Sequence, residues 1–136
     1  IPQITQALGP GHHSTVHTCP GQEARHQVEL LCREHGVTRA ALGETICAYL
    51  GALTRDVLNA QAPDALYVSG GDVAMAAASA LGAEGFEITG RIARCVPYGR
   101  FLGCAWHRPV MTKAGGFGRE ETLREVLHFI EERLSD

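Results

Sequence analysis

Ala65-Leu66-Tyr67-Val68-Ser69-Gly70-Gly71-Asp72-Val73-Ala74-Met75-Ala76-Ala77-Ala78-Ser79-Ala80-Leu81-Gly82 changes character at its paired glycines. Ahead of them, Ala65–Val68 is an apolar run too brief for a helix and reads as a strand. Behind them, Val73–Leu81 is rich in alanine and reads as a helix, with Gly82 as its stop. The small side chains suggest a helix packed close to a sheet. A strand that enters a helix through a glycine turn is a unit of an α/β fold. It also builds an anion site, because glycine lets a ligand approach the main chain and the first helical amides have no partners.

The arrangement recurs at Lys113-Ala114-Gly115-Gly116-Phe117-Gly118. Pro109–Thr112 ahead of it is a strand candidate, and Arg119–Leu134 behind it carries the clearest helical pattern in the chain. Leu123, Val126, Leu127, Ile130 and Leu134 form its apolar stripe, with Glu120 and Glu121 in the first turn and Arg133 in the last, as the helix dipole favours. Lys113 places a cation beside a flexible main-chain cradle, and a phosphate needs both charge and donors. Two such turns in one small domain would grip one polyphosphate from two sides.

Working outward, the first dozen residues read as a lead-in, Ser14–Thr18 as a strand and Gln22 onward as a helix stopped by Gly36. Thr38 is a plausible N-cap for a second helix that runs through Ala60. Gly43 and Gly51 weaken that helix by about 1 kcal/mol each relative to alanine unless close packing requires them. Phe86–Ile92 alternates as a strand would, Pro97-Tyr98-Gly99 is a turn signal, and Phe101–Trp106 is a further strand candidate. The fold class is therefore α/β: a mixed β-sheet flanked by helices, with glycine-rich strand-to-helix turns at one end of the sheet. Ligands in such folds bind beyond the carboxyl ends of strands, where both turns fall.

At 136 residues the chain has the size of a single domain. Its 16 glycines exceed the usual share of about 7% and cluster at turns, so they read as backbone geometry. Twelve basic against fifteen acidic residues, without a basic stripe or interleaved aromatics, give no footprint for nucleic acid. The apolar stretches are far short of a membrane span, and no secretory signal is visible. Cys19, Cys32, Cys47, Cys95 and Cys104 form no CxxC pair and read as small buried hydrophobes in a reducing cytoplasm. The chain begins at Ile1 rather than Met, which suggests processing or excision from a longer protein.

Other chemistries find less purchase. The spacing at neither turn is that of a Walker loop or of GxGxxG. His13 and His17 are not expected to share a helical face, no HExxH motif or carboxylate partner completes a site around them in the sequence, and His26, His35, His107 and His128 are scattered, so no metal site is assigned. A metal-dependent hydrolase would require zinc, and a serine hydrolase a GxSxG elbow that is not here. Asp72 has three readings: a helix cap, a carboxylate that holds Mg2+ beside phosphates, or a base for an attacking hydroxyl. The bland reading of each glycine turn is a tight structural loop.

In order, Tyr67–Ala74, Ala80-Leu81-Gly82, Val96-Pro97-Tyr98-Gly99 and Thr112–Gly118 resemble the C-terminal nucleotide-binding domain of the four-carbon acid sugar kinases, long known as a domain of unknown function. The resemblance is strong from about Asp64 onward. It implies an ATP-dependent phosphotransferase acting on threonate or erythronate, with a separate N-terminal domain supplying most of the sugar-acid site. Residues 1–136 then correspond to one nucleotide-binding domain, the C-terminal half of a two-domain kinase, without the substrate domain and not active alone. Ser69, Gly70, Gly71, Asp72 and Val73 match the first phosphate-contacting turn, with Asp72 the catalytic candidate near Mg2+. Lys113, Gly115 and Gly116 match the second. Three residues depart from the family pattern: Val73 replaces a threonine, Cys95 a glycine, and Arg91 a common acidic residue. The alternative is a non-catalytic nucleotide-binding or assembly module. Loss of a domain partner would expose apolar surface and favour a homo-oligomer.

Overall fold

The computed structural model describes residues 2–8, 12–16, 22–114 and 121–134. Its elements run α1 (Pro2–Ala7), α2 (Gln22–His35), α3 (Arg39–Ala60), β1 (Leu66–Ser69), α4 (Gly71–Leu81), β2 (Gly85–Ala93), β3 (Val96–Leu102), β4 (Val110–Lys113) and α5 (Thr122–Leu134). The strands make one sheet in the order β1-β4-β3-β2. β1 lies parallel to β4, whereas β4–β3 and β3–β2 are antiparallel. The mixed sheet expected from the sequence is borne out.

Helix boundaries follow the local chemistry. The Thr38 hydroxyl accepts from the Ala41 amide at 3.1 Å and caps α3. Gly36 (φ 64°) ends α2, and Gly82 (φ 75°, ψ 22°) ends α4 in the left-handed conformation that glycine tolerates best. Gly82 donates back to the carbonyls of Ala78 and Ser79.

Alternation along the strands divides the core in two. Leu66, Phe101 and Val110 face Leu58 of α3 and Ala78 and Leu81 of α4. Tyr67, Val96, Tyr98 and Met111 face Val126 and Ile130 of α5. Helices thus cover both faces, and adjacent residues of β1, Leu66 and Tyr67, serve opposite cores. Of the apolar stripe read for α5, Val126 is fully buried, but Leu123 is exposed. Phe129 extends the buried face instead, its ring 4.8 Å from that of Tyr98.

Gly43 and Gly51 differ. A Cβ at Gly43 would meet nothing within 4 Å, whereas one at Gly51 would lie 2.6 Å from the Ala76 carbonyl oxygen. Gly51 is therefore the point at which α3 and α4 touch backbone to backbone, and the alanines of α4 serve that contact as well as the sheet.

Several sequence expectations are corrected. Residues 2–7 form a helix rather than a lead-in loop, begun by Pro2, whose fixed φ and missing N–H suit a first helical turn. Gln61 holds this segment by donating to the Leu8 carbonyl at 2.8 Å. Ser14–Val16 is not a strand; the rest of that run, and Cys19, lie outside the described residues. Pro97-Tyr98-Gly99 is inside β3, not a turn. The reversal occurs one step earlier, at Arg94-Cys95, with Ala93 paired to Val96. Pro97 is accommodated because β4 pairs only with Tyr98 and Gly99 and β2 shifts register near it. Gly99 is required because a Cβ there would collide with the Glu87 carbonyl. Of Phe101–Trp106, only Phe101 and Leu102 are strand. Cys32, Cys47, Cys95 and Cys104 are unpaired, as read, but half-buried rather than buried.

Candidate functional site

The parallel register sets Leu66 beside Val110 and ends with Ser69 beside Lys113. One residue further, the Gly70 amide donates to the Lys113 carbonyl at 2.7 Å. This bond fastens the first glycine turn to the start of the second at the carboxyl ends of two parallel strands. Ser69, Gly70, Gly71, Asp72, Val73 and Lys113 are thereby brought to one place. Gly115 and Gly116, the other half of the expected cradle, lie outside the described residues.

Gly70 makes the turn from strand to helix alone, at φ 105° and ψ 128°. That combination is accessible essentially to glycine, because a Cβ would clash with the flanking peptides. Its carbonyl accepts from the Ala74 amide at 3.1 Å, so Gly70 is the N-cap of α4. Asp72 is consequently not the cap. It occupies the second position of the helix, exposed, where its charge complements the positive end of the dipole. With Gly70 committed to Lys113 and no side-chain cap present, the Gly71, Asp72 and Val73 amides open the helix without intrahelical acceptors. A Cβ on Gly71 would meet nothing within 4 Å among the described residues. Val73 is half-buried; a Cβ on Gly70 would come within 3.8 Å of its Cγ2. Lys113 ends β4 beside Ser69, and its ammonium donates to the Ala114 carbonyl at 3.2 Å. Oriented amides, a dipole and an ammonium make this end of the sheet suited to an anion.

Beneath the turn, Tyr67 lies on the α5 side of β1, packed with Val96, Cys95 and Met111. Burial raises its phenol above the ordinary 10.0, a hydrogen bond donated by the Ser69 hydroxyl favours the phenolate and pulls the other way, and Cys95 nearby adds to the rise. A folded pKa above the unfolded one means the fold retains the proton. Stability from this group is whole below pH 10 and is lost as pH climbs through the raised value. Tyr67→Phe is therefore expected to shift alkaline unfolding upward. Phenolate absorbance followed during alkaline titration checks this, and an unchanged alkaline midpoint would contradict it.

The sequence reading missed the Arg94-Cys95 hairpin at this end. β3 is antiparallel to β4, so the β2–β3 reversal stands level with the glycine turns. Arg94-Cys95 carries no Gly, Asn or Asp to mark a two-residue turn, and Pro97-Tyr98-Gly99 carries the stronger local turn preference. Among the described residues, no three His, Cys, Asp or Glu side chains converge as a metal site. An open apolar groove of about 350 Å3 lies elsewhere, between α2 and α3, lined by Leu31, His35, Val37, Ala41, Leu42 and Thr45.

Residues 1–123 match the family model described as the nucleotide-binding C-terminal domain. The chain belongs to this family. The chain is 37% identical over 133 residues to D-threonate kinase of Salmonella typhimurium, covering 97% of this chain and 31% of that protein. It is 30% identical over 103 residues to D-erythronate kinase of Heliobacterium modesticaldum, covering 74% and 24% respectively. The chain thus spans about a third or less of these relatives. Crystal structures of a protein from Bordetella bronchiseptica, described as a domain of unknown function with bound citrate and as a domain-swapped dimer, share the fold. One superposes with a TM-score of 0.62 at 34% identity, covering 66% of this chain and 23% of the other. A second crystal form gives 0.63 at 26% identity, covering 88% and 34%. No helix among the described residues is long and apolar enough to cross a membrane.

Proposed function

We propose that this chain is the ATP-binding domain of a kinase that phosphorylates a four-carbon sugar acid such as threonate or erythronate, with the acceptor site supplied by an N-terminal domain. The observation that carries the reading is the Gly70–Lys113 bond, which unites a helix N-terminus and a lysine at one strand-end site. The names of the curated relatives support the acceptor class.

Transfer of a phosphoryl group depends mostly on position and charge. The amides of Gly71, Asp72 and Val73 would bind phosphate oxygens directly, and Gly70 contributes shape, since its own amide is committed. Lys113 adds positive charge from the β4 side, and Ser69 lies at the lip. Gly115 and Gly116 would close the second side. The donor set also fits Mg2+: Asp72 presents an exposed hard carboxylate beside the amides, and this ion usually takes one or two carboxylates together with phosphate and water. When bound, Mg2+ would offset charge on the phosphate oxygens. We assign Asp72 to holding the ion rather than to taking the acceptor proton.

Calorimetry with ATP tests the reading. Binding is expected with Mg2+ present, and Asp72→Asn should abolish the gain that Mg2+ gives while leaving Mg-free affinity the same or tighter. Absence of binding at millimolar Mg-ATP would sink the proposal.

A second reading is favoured by Val73, which offers no hydroxyl at the third amide position of α4: a module that binds nucleotide without catalysis. Val73→Thr, assayed with a family N-terminal domain added in trans, separates the two, because restored sugar-acid phosphorylation supports a kinase half. Self-association also fits. Leu30, Leu31 and Val37 are exposed along α2 and its exit, and the Bordetella relative crystallised as a swapped dimer. Four unpaired cysteines suit a cytoplasmic location.

A further inference from the structure

The β2–β3 hairpin brings a third element to the glycine-turn site. Tyr98 pairs with Met111 and Gly99 with Val110. Counting on along antiparallel strands sets Val96 level with Lys113 and the Arg94-Cys95 tip just beyond it. Strands lie about 4.8 Å apart, so the tip stands roughly one strand from Lys113 and two from the start of α4. Cys95 and Val96 pack in the same cluster as Tyr67 and Met111, which fixes the tip against the ends of β1 and β4. Arg100, lower on the same hairpin, pairs with Glu87 at 3.2 Å. Arg94 is exposed and has no carboxylate partner among the described residues.

We infer that Arg94 is a third phosphate-binding element, its guanidinium reaching the phosphate tail of the nucleotide from beyond β4. The inference rests on the nucleotide reading above and adds a residue to it. A planar guanidinium pairs with phosphate through two parallel hydrogen bonds. The geometry divides the labour: α4 amides on one side, Lys113 in the middle, Arg94 on the far side. Its place at a two-residue reversal also confines its backbone, which limits the order lost on binding.

Calorimetry with Mg-ATP at several salt concentrations, on the full chain and on Arg94→Gln, tests it. Arg94→Gln should melt with the parent and bind Mg-ATP roughly fivefold to tenfold more weakly. Its affinity should also fall less steeply with salt, because one ionic contact is gone. Equal affinities in the two proteins overturn the assignment and leave the nucleotide reading intact. A weaker Arg94→Gln with unchanged salt dependence also overturns it, since the loss would then not be ionic. If the parent chain binds no Mg-ATP, the nucleotide reading fails first and the role of Arg94 with it.

Discussion

Gly70→Val is expected to lower stability by about 2–3 kcal/mol and to remove measurable ATP binding. The cost is conformational rather than steric in the packing sense, because a Cβ at this position would meet only Val73 Cγ2, at 3.8 Å. What cannot survive is the backbone: φ 105° with ψ 128° is closed to a β-branched residue. The chain would have to rotate about Gly70, and that rotation breaks the 2.7 Å bond to the Lys113 carbonyl and re-aims the first amides of α4. Gly71→Ala supplies the contrast. Gly71 lies at the helix start with no left-handed φ, and an added Cβ meets nothing within 4 Å. Alanine there should leave the melting temperature unchanged or slightly higher, since it narrows the unfolded ensemble. Yet a methyl beside the proposed phosphate-binding amides would crowd a bound phosphate, so ATP affinity should drop at least tenfold. Thermal melting and calorimetry on the two variants check both halves. If Gly71→Ala binds ATP as the parent does, the amides of α4 are not where phosphate sits.

The contrast between these neighbours shows how far the sequence could be read. Strand, glycine pair and alanine-rich helix were legible because each signal is local: an apolar run too short for a helix, residues that permit a turn, then a stop at Gly82. The same holds for Thr38, whose capping depends only on the next three residues. What is decided between distant segments was not legible. Nothing local reveals that Ser69 pairs with Lys113, and without that pairing the two glycine turns remain separate features. Pro97-Tyr98-Gly99 misled for the same reason: each residue favours turns, but the strand is imposed by β2 and β4, and Gly99 is needed for a close approach to Glu87 rather than for a reversal. Of the three readings of Asp72, the capping one failed by a narrower margin. Once Gly70 takes the cap, two residues of offset convert a candidate capping side chain into an exposed carboxylate beside the helix opening.

Gly51→Ala should destabilise the chain by about 2 kcal/mol, whereas Gly43→Ala should stabilise it by up to about 1 kcal/mol. Both substitutions exchange the same residues inside α3, and helix propensity favours alanine at both. At Gly43 nothing opposes that gain, because the new methyl faces open space. At Gly51 the methyl would sit 2.6 Å from the carbonyl oxygen and 2.8 Å from the carbonyl carbon of Ala76, so backbone, not a flexible side chain, must move. α3 and α4 would separate by a fraction of an ångström or more, exposing part of the Leu58, Ala78 and Leu81 packing against the sheet. In a chain of this size, 2 kcal/mol corresponds to a fall in melting temperature of roughly 6–10 °C. The consequence extends to the site. Ala76 lies one helical turn below Asp72, and the start of α4 is tied to β4 by the bond from the Gly70 amide to the Lys113 carbonyl. Displacing the helix at Ala76 re-aims the amides of Gly71, Asp72 and Val73, so Gly51→Ala should also weaken ATP binding although it touches no ligand. Gly43→Ala should not. A Gly51→Ala protein that melts lower but binds ATP with parental affinity would show that the α3–α4 contact supports the core alone and does not set the aim of the helix.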